Sequence, residues 1–139
     1  MSKFEAFMRG NKKAREEKKY APTKAFVDND GNAIEWTFRP ITSKEFEQLK
    51  VDCSKQTITK SGASTKIDVK AMSAKMVVAC TVYPDLYDAE LQDSYNVGNA
   101  TDLLYELVED PGDYTDLVNF VQELCGFDRF GKLVDEAKN

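Results

Sequence analysis

Between Asp110 and Gly126 the chain carries its clearest structural signal. Tyr114, Leu117, Val118, Val121, Leu124 and Cys125 recur at intervals of three and four, which sets them on one face of a helix. Asp110-Pro111 supplies an N-cap followed by proline at the first helical position, where a missing N–H costs nothing. Gly126 stands where a C′ residue is wanted, with Phe127 as its hydrophobic partner back on the helix. A helix with one apolar face must bury that face, so the remaining elements have to build a core around it. A last helix is expected around Asp128–Ala137, carrying Phe130, Leu133 and Val134.

Upstream, the spacing changes. Lys24–Asp28 and Ala33–Arg39 read as a β-hairpin, with Phe26 among polar neighbours and Ile34, Trp36 and Phe38 on one face at period two. Asn29-Asp30-Gly31-Asn32 supplies residues that tolerate the positive φ of a tight turn. Pro40 closes the second strand because it cannot donate to a ladder. Thr42-Ser43-Lys44-Glu45 is a capping box, and the helix it opens buries Phe46, Leu49 and Cys53. Gln56–Lys66 is polar, and reads as a long loop or a flexible hairpin. Asp68 caps a second helix with Met72, Met76, Val77, Ala79 and Cys80 inside, ended by Tyr83-Pro84. Asp88 begins a short helix with Leu91 and Tyr95, and Thr101 another with Leu103, Leu104, Leu107 and Val108.

The first residues are of a different kind. Phe4, Phe7 and Met8 form a short apolar stripe that needs something to dock on, since an isolated helix requires about 12–15 residues. Lys12–Lys19 is almost wholly charged and reads as a mobile arm or a solvated helix. At 139 residues the chain matches the size of one domain. The expected organisation is a charged arm with a short apolar stripe over residues 1–20, then a single domain over 21–139. The fold class is α+β, mostly helical, with a small N-terminal β-hairpin or sheet.

Composition removes most chemistries. The chain has no histidine, which excludes Ser-His-Asp triads, Cys–His pairs and His-containing zinc sites. Cys53, Cys80 and Cys125 lie on apolar helical positions with no CxxC pair, as buried thiols in a reducing compartment do. The glycines are scattered, so no phosphate-binding loop is present. The pairs Asp85/Asp88 and Asp113/Asp116 fit helix caps better than a catalytic cleft, and Asp28–Gly31 is too compressed for a calcium loop. No apolar run approaches the roughly 20 residues that cross a bilayer. The chain is therefore read as a soluble non-enzyme with no cofactor and no metal.

What remains is surface. The net charge of −5 conceals a gradient: residues 1–20 hold seven Lys/Arg and three Asp/Glu, residues 81–139 three and fourteen, a balance of −11. That distribution argues against nucleic acid, which the acidic body repels, and suits either a solvated face or attraction of a basic partner. Tyr83-Pro84-Asp85-Leu86-Tyr87 sets two aromatics beside a proline, either packed onto helix ends or offered as an anchor for a partner. The candidate partner-binding residues are Tyr83, Pro84, Asp85, Leu86, Tyr87, Phe4 and Phe7.

One longer pattern adds to this reading. Ala79-Cys80-Thr81-Val82-Tyr83-Pro84-Asp85-Leu86 is followed by Asp88-Ala89-Glu90-Leu91-Gln92-Asp93-Ser94-Tyr95 and Asp102-Leu103-Leu104. Pro111-Gly112-Asp113-Tyr114 and Val121-Gln122-Glu123-Leu124-Cys125-Gly126-Phe127-Asp128 come downstream. Together with Phe4–Asn11, the hairpin and Ile41-Thr42, this resembles the tail assembly chaperone family of contractile-tailed phages and related prophages. The resemblance implies a protein of the host cytoplasm that binds the tape measure protein, assists tail tube assembly and is not retained in the particle. It implies the tape measure protein as partner and the tail tube protein as a second candidate, with self-association left open. It brings no cofactor, metal or catalytic residue. The competing reading is a structural tail completion or connector protein.

Overall fold

The computed structural model describes residues 3–127. In chain order its elements are β1 (Lys18–Tyr20), β2 (Trp36–Phe38), α1 (Ser43–Asp52), β3 (Ser54–Thr59), β4 (Gly62–Ile67), α2 (Val69–Cys80), β5 (Thr81–Tyr83), α3 (Ala89–Ser94), α4 (Ala100–Leu107) and α5 (Pro111–Leu124). The fold is α+β and mostly helical, as its residue spacing predicts. The helix expected around Asp128–Ala137 lies outside the described residues.

Helix ends follow the local chemistry closely. Glu45 N–H donates to Thr42 Oγ1 at 3.1 Å while Thr42 N–H donates to Glu45 Oε1 at 3.1 Å, a complete capping box. Asp68 accepts from Ala71 N–H at 3.1 Å and Asp88 from Leu91 N–H at 2.9 Å, each satisfying an amide that the first helical turn leaves without a partner. At the far end of α5, Phe127 N–H donates to Gln122 O and Gly126 N–H to Glu123 O, with Gly126 at φ +88°. This is a Schellman motif, and the left-handed residue it demands is the glycine. One cap differs from expectation: α4 is opened by Asn99, whose Oδ1 accepts from Asp102 N–H at 2.8 Å, two residues before Thr101.

The predicted hairpin is present as a turn and one bridge. Asp28 Oδ1 accepts from Asp30 N–H and Asn32 N–H at 2.9 Å each, Gly31 takes φ +84°, and Val27 bridges Ala33. The strand it leads into, β2, takes its ladder partners from elsewhere. Tyr20 pairs with Trp36 and Lys18 with Phe38 on one side, while Thr37 pairs with Tyr83 and Phe38 with Thr81 on the other, all antiparallel. Lys18–Tyr20 is therefore a strand, neither a mobile arm nor a helix; its lysines stay exposed while Tyr20 packs against the core. Tyr83-Pro84 does not end α2 directly. That helix stops at Cys80, whose carbonyl accepts from Arg39 N–H at 2.8 Å, and the chain continues as β5. The polar stretch after α1 forms the regular hairpin β3–β4, with every partner from Ser54↔Ile67 to Thr59↔Gly62 in register.

The core lies where the sheet meets α2, α4 and α5. Phe38, Val77, Cys80, Leu103, Leu104 and Leu117 are wholly buried there. Each large aliphatic side chain removed from water contributes about 1.5–3 kcal/mol, so these residues outweigh any single polar contact in the chain. An aromatic seam closes one side: Tyr20 stacks on Phe120 at 4.4 Å, and Phe120 meets Phe38 edge-on at 5.4 Å. That contact explains how a strand bearing two lysines is held. Its one aromatic is inserted against α5.

The N-terminal stripe forms two 3-10 turns, Glu5–Phe7 and Arg9–Asn11, rather than an α-helical turn. Phe7 is 84% exposed, Phe4 66% and Met8 51%.

Candidate functional site

The segment Tyr83–Tyr87 joins β5 to α3 and is tied down along its length. Asp85 Oδ1 accepts from Tyr87 N–H at 3.0 Å, and Asp85 O accepts from Asp88 N–H at 3.2 Å. Gln92 Nε2 donates to Leu86 O at 2.8 Å, fixing the middle of the loop to α3. Leu86 points inward and is 2% exposed, part of the core cluster. It holds the loop in place and presents no surface to a partner. Tyr83 and Tyr87, at 57% and 71% exposure, face solvent on either side of it. The result is a tied-down loop displaying two tyrosines, so that little loop ordering remains to weaken binding.

Beside this loop lies an apolar cleft of about 160 Å³. Pro84 and Tyr83 form one lip, and Phe26, Trp36, Leu91 and Tyr95 are among the residues that line the rest. These wall residues come from the turn region, β2 and α3. The sequence signal for them was the alternation that marks Phe26 and Trp36 as strand residues, but alternation does not say which partner a strand meets. Phe4 and Phe7 line no part of this cleft; they belong to the N-terminal turns.

A second apolar groove, about 580 Å³, runs between α1, α2 and the residues after α5. Phe46, Met72, Met76 and Phe127 form its floor, with Ile67 and Val69 at the rim, 47% and 72% exposed. Phe127 meets Phe46 at 4.9 Å, so the aromatic that follows the Schellman turn packs across onto α1.

Electrostatics separate the two halves of the chain. Residues 81–127 contain eleven Asp/Glu and no Lys/Arg. Part of this charge is local: Asp88 caps α3, and Asp102 accepts from Asn99 Nδ2 at 3.0 Å. Among the described residues the ion pairs are Arg39–Glu45, Lys50–Glu47 and Lys55–Asp68, all upstream of this region. Among the described residues the carboxylates of 81–127 thus set up a field that no ion pair neutralises. It reaches Tyr20, whose hydroxyl is pushed above its ordinary pKa by burial and then by Asp116 and Asp113. Among the described residues no group of three or more Cys, Asp and Glu side chains converges as a metal site would require, and no helix is long and apolar enough to cross a membrane.

A family model described as the phage XkdN-like tail assembly chaperone protein matches residues 4–138. The chain belongs to this family. It is 29% identical over 135 residues to the phage-like element PBSX protein XkdN of Bacillus subtilis strain 168, covering 96% of this chain and 91% of that one. It is 28% identical over the same length to YqbN of that strain, with the same coverage. A crystal structure of YqbN superposes with a TM-score of 0.77 at 25% identity, covering 92% of this chain and 99% of the other. The resemblance drawn from Ala79–Tyr95 and the downstream motifs is therefore correct. XkdN-like proteins are chaperones of phage tail assembly, and this is not a family of enzymes.

Proposed function

We propose that this XkdN-like chaperone binds the tape measure protein in the host cytoplasm, keeps it soluble while tail tube subunits assemble around it, and leaves before the particle is complete. Family membership over residues 4–138 carries this reading. The surface supports it: Tyr83 borders an apolar cleft and Tyr87 stands exposed nearby, both within residues 81–127, which hold eleven acidic residues and no basic ones. An amphipathic helix with a basic face would lay its apolar side chains against the tyrosines and the cleft and its cations against the acidic surround. Phe4 and Phe7 form a second proposed contact, offered from the N-terminal turns. Because the tyrosines are exposed and their loop is fixed through Leu86 and Gln92, replacing both should remove binding without unfolding the protein.

Co-expression with the tape measure gene of the same phage element tests the proposal. The tape measure protein should be soluble with the wild-type chain and insoluble with the Tyr83→Ala/Tyr87→Ala variant, while that variant unfolds at the wild-type midpoint. A tape measure protein equally soluble without the chaperone would sink the idea. Mass spectrometry of purified tails should find no peptide of this chain; its presence there would favour a structural tail component instead.

A further inference from the structure

Cys80 and Cys125 are separated by 45 positions, yet their sulfurs lie 3.6 Å apart, where the last turn of α2 meets the C-cap of α5. Cys80 is wholly buried. Cys125 is only partly covered and lines a cavity of about 550 Å³ whose other walls include Lys12, Arg15, Thr42 and Phe46. Arg15 is fixed at this site by donating from Nη1 to Ile41 O at 2.6 Å. One sulfur is thus reachable from solvent under a basic rim, and the second waits directly behind it.

We propose that Cys125 is a peroxide-reactive thiol and Cys80 its resolving partner, so that hydrogen peroxide converts the pair to a disulfide joining α2 to α5. The Cys125 thiolate attacks one peroxide oxygen, the O–O bond breaks, and the hydroxide that leaves takes up the proton the Cys125 thiol had released to become water, giving a sulfenic acid at Cys125. The Cys80 sulfur then attacks the Cys125 sulfur, and the hydroxyl departs as water with the Cys80 proton. Both cysteines together lose two electrons, and one peroxide becomes two waters. A disulfide needs the sulfurs at about 2.05 Å, so oxidation closes the gap by about 1.5 Å. The surroundings favour the first step. The Cys80 thiol first, then Ile41 N–H, Arg15 and Arg39, stabilise a Cys125 thiolate and, against the opposing effect of burial, hold the Cys125 pKa below the usual thiol range, while the same pairing pushes the Cys80 thiol up. Cys53 has no such setting; it is 4% exposed at the end of α1 and serves as the internal control.

The test uses the full chain, purified reduced, freed of reductant and treated with hydrogen peroxide. Intact mass should fall by two hydrogens, and non-reducing peptide mapping should recover the Cys80–Cys125 cross-link, with Cys125 consumed about 10-fold or more faster than Cys53. The thermal midpoint should rise and return on adding dithiothreitol, since the bond constrains a long loop of the unfolded chain. In Cys80→Ser the sulfenic acid should persist and be trapped by dimedone at Cys125, and in Cys53→Ser the cross-link should form as in wild type. Oxidation that reaches Cys53 as fast as Cys125, a Cys80→Ser protein with no dimedone adduct, or a wild-type product cross-linked between molecules would each overturn the assignment.

Discussion

Glu45 joins the capping box to a charge pair, and its replacement separates the two contributions. Arg39 Nη1 and Nη2 donate to Glu45 Oε1 and Oε2 at 3.0 and 2.7 Å, while Thr42 N–H donates to Oε1 at 3.1 Å. These contacts, Arg39 first and the Thr42 amide second, lower the Glu45 pKa from 4.5 to about 2. At about 1.36 kcal/mol per pKa unit a displacement of that size is worth about 3.4 kcal/mol at face value. The side chains of Arg39 and Glu45 are 40% and 38% exposed, so solvent screening leaves roughly 1 kcal/mol. Glutamine can still reach back to Thr42 N–H, so Glu45→Gln should lose about 1 kcal/mol. Glu45→Ala loses the cap as well, for a total of about 1.5–2 kcal/mol. Because the folded pKa is depressed, the charge contribution is complete above 4.5 and disappears as pH falls toward about 2. Urea unfolding followed by the fluorescence of Trp36, the single tryptophan and 3% exposed, measures this directly. Near pH 7, Glu45→Gln should lower the midpoint by about 0.5 M, and by about pH 3 the gap to wild type should have shrunk to a fraction of that. A gap that is absent near pH 7, or that keeps its full size in acid, would refute the reasoning.

Two further substitutions test the packing and the helix end. Leu104→Ala empties a wholly buried site between α4 and the rest of the core and should cost about 3 kcal/mol in the same urea titration; a loss under about 1 kcal/mol would mean the site collapses around the smaller residue. Among the described residues Gly126→Ala meets no atom within 4 Å, so its expected cost of about 1 kcal/mol comes from the φ of +88°, and a neutral outcome would show that the Schellman turn relaxes.

What could be read from the sequence was local. Thr42/Glu45, Asp68, Asp88 and Gly126 announce helix ends because the groups they satisfy lie within a few residues, and Asp110-Pro111 does so through the fixed φ of the proline, with no capping bond from the Asp110 side chain. Phe38 announces a buried strand position for the same reason: its neighbours alternate. The ladder partners of β2 were hidden, since Lys18–Tyr20 looks like part of a charge run and Thr81–Tyr83 like the tail of a helix. Only the fold brings Tyr20 to Phe120 and Cys80 to Arg39. The stretch that forms β3–β4 reads equally as loop or hairpin because all but its first residue are exposed, so no alternation toward a core marks it. At the proposed binding surface the tyrosines were visible as aromatics beside a proline. That Leu86 turns inward between them, and that Phe26 and Trp36 form the adjoining wall, depended on contacts far apart in the chain.

The small sheet has a consequence for how partners can be held. Its order is β1-β2-β5, so β1 and β5 are the strands whose outer backbone groups are available for growth. β1 is three residues long and carries Lys18 and Lys19; β5 is three residues long and runs into Pro84. Charged lysines and a proline are what proteins place where strand addition must not occur. On this sheet a guest segment therefore finds almost no ladder to extend, and recognition beside it falls to side chains such as Tyr83 and Tyr87. For a protein proposed to work among subunits that polymerise, an edge that refuses propagation is a safeguard.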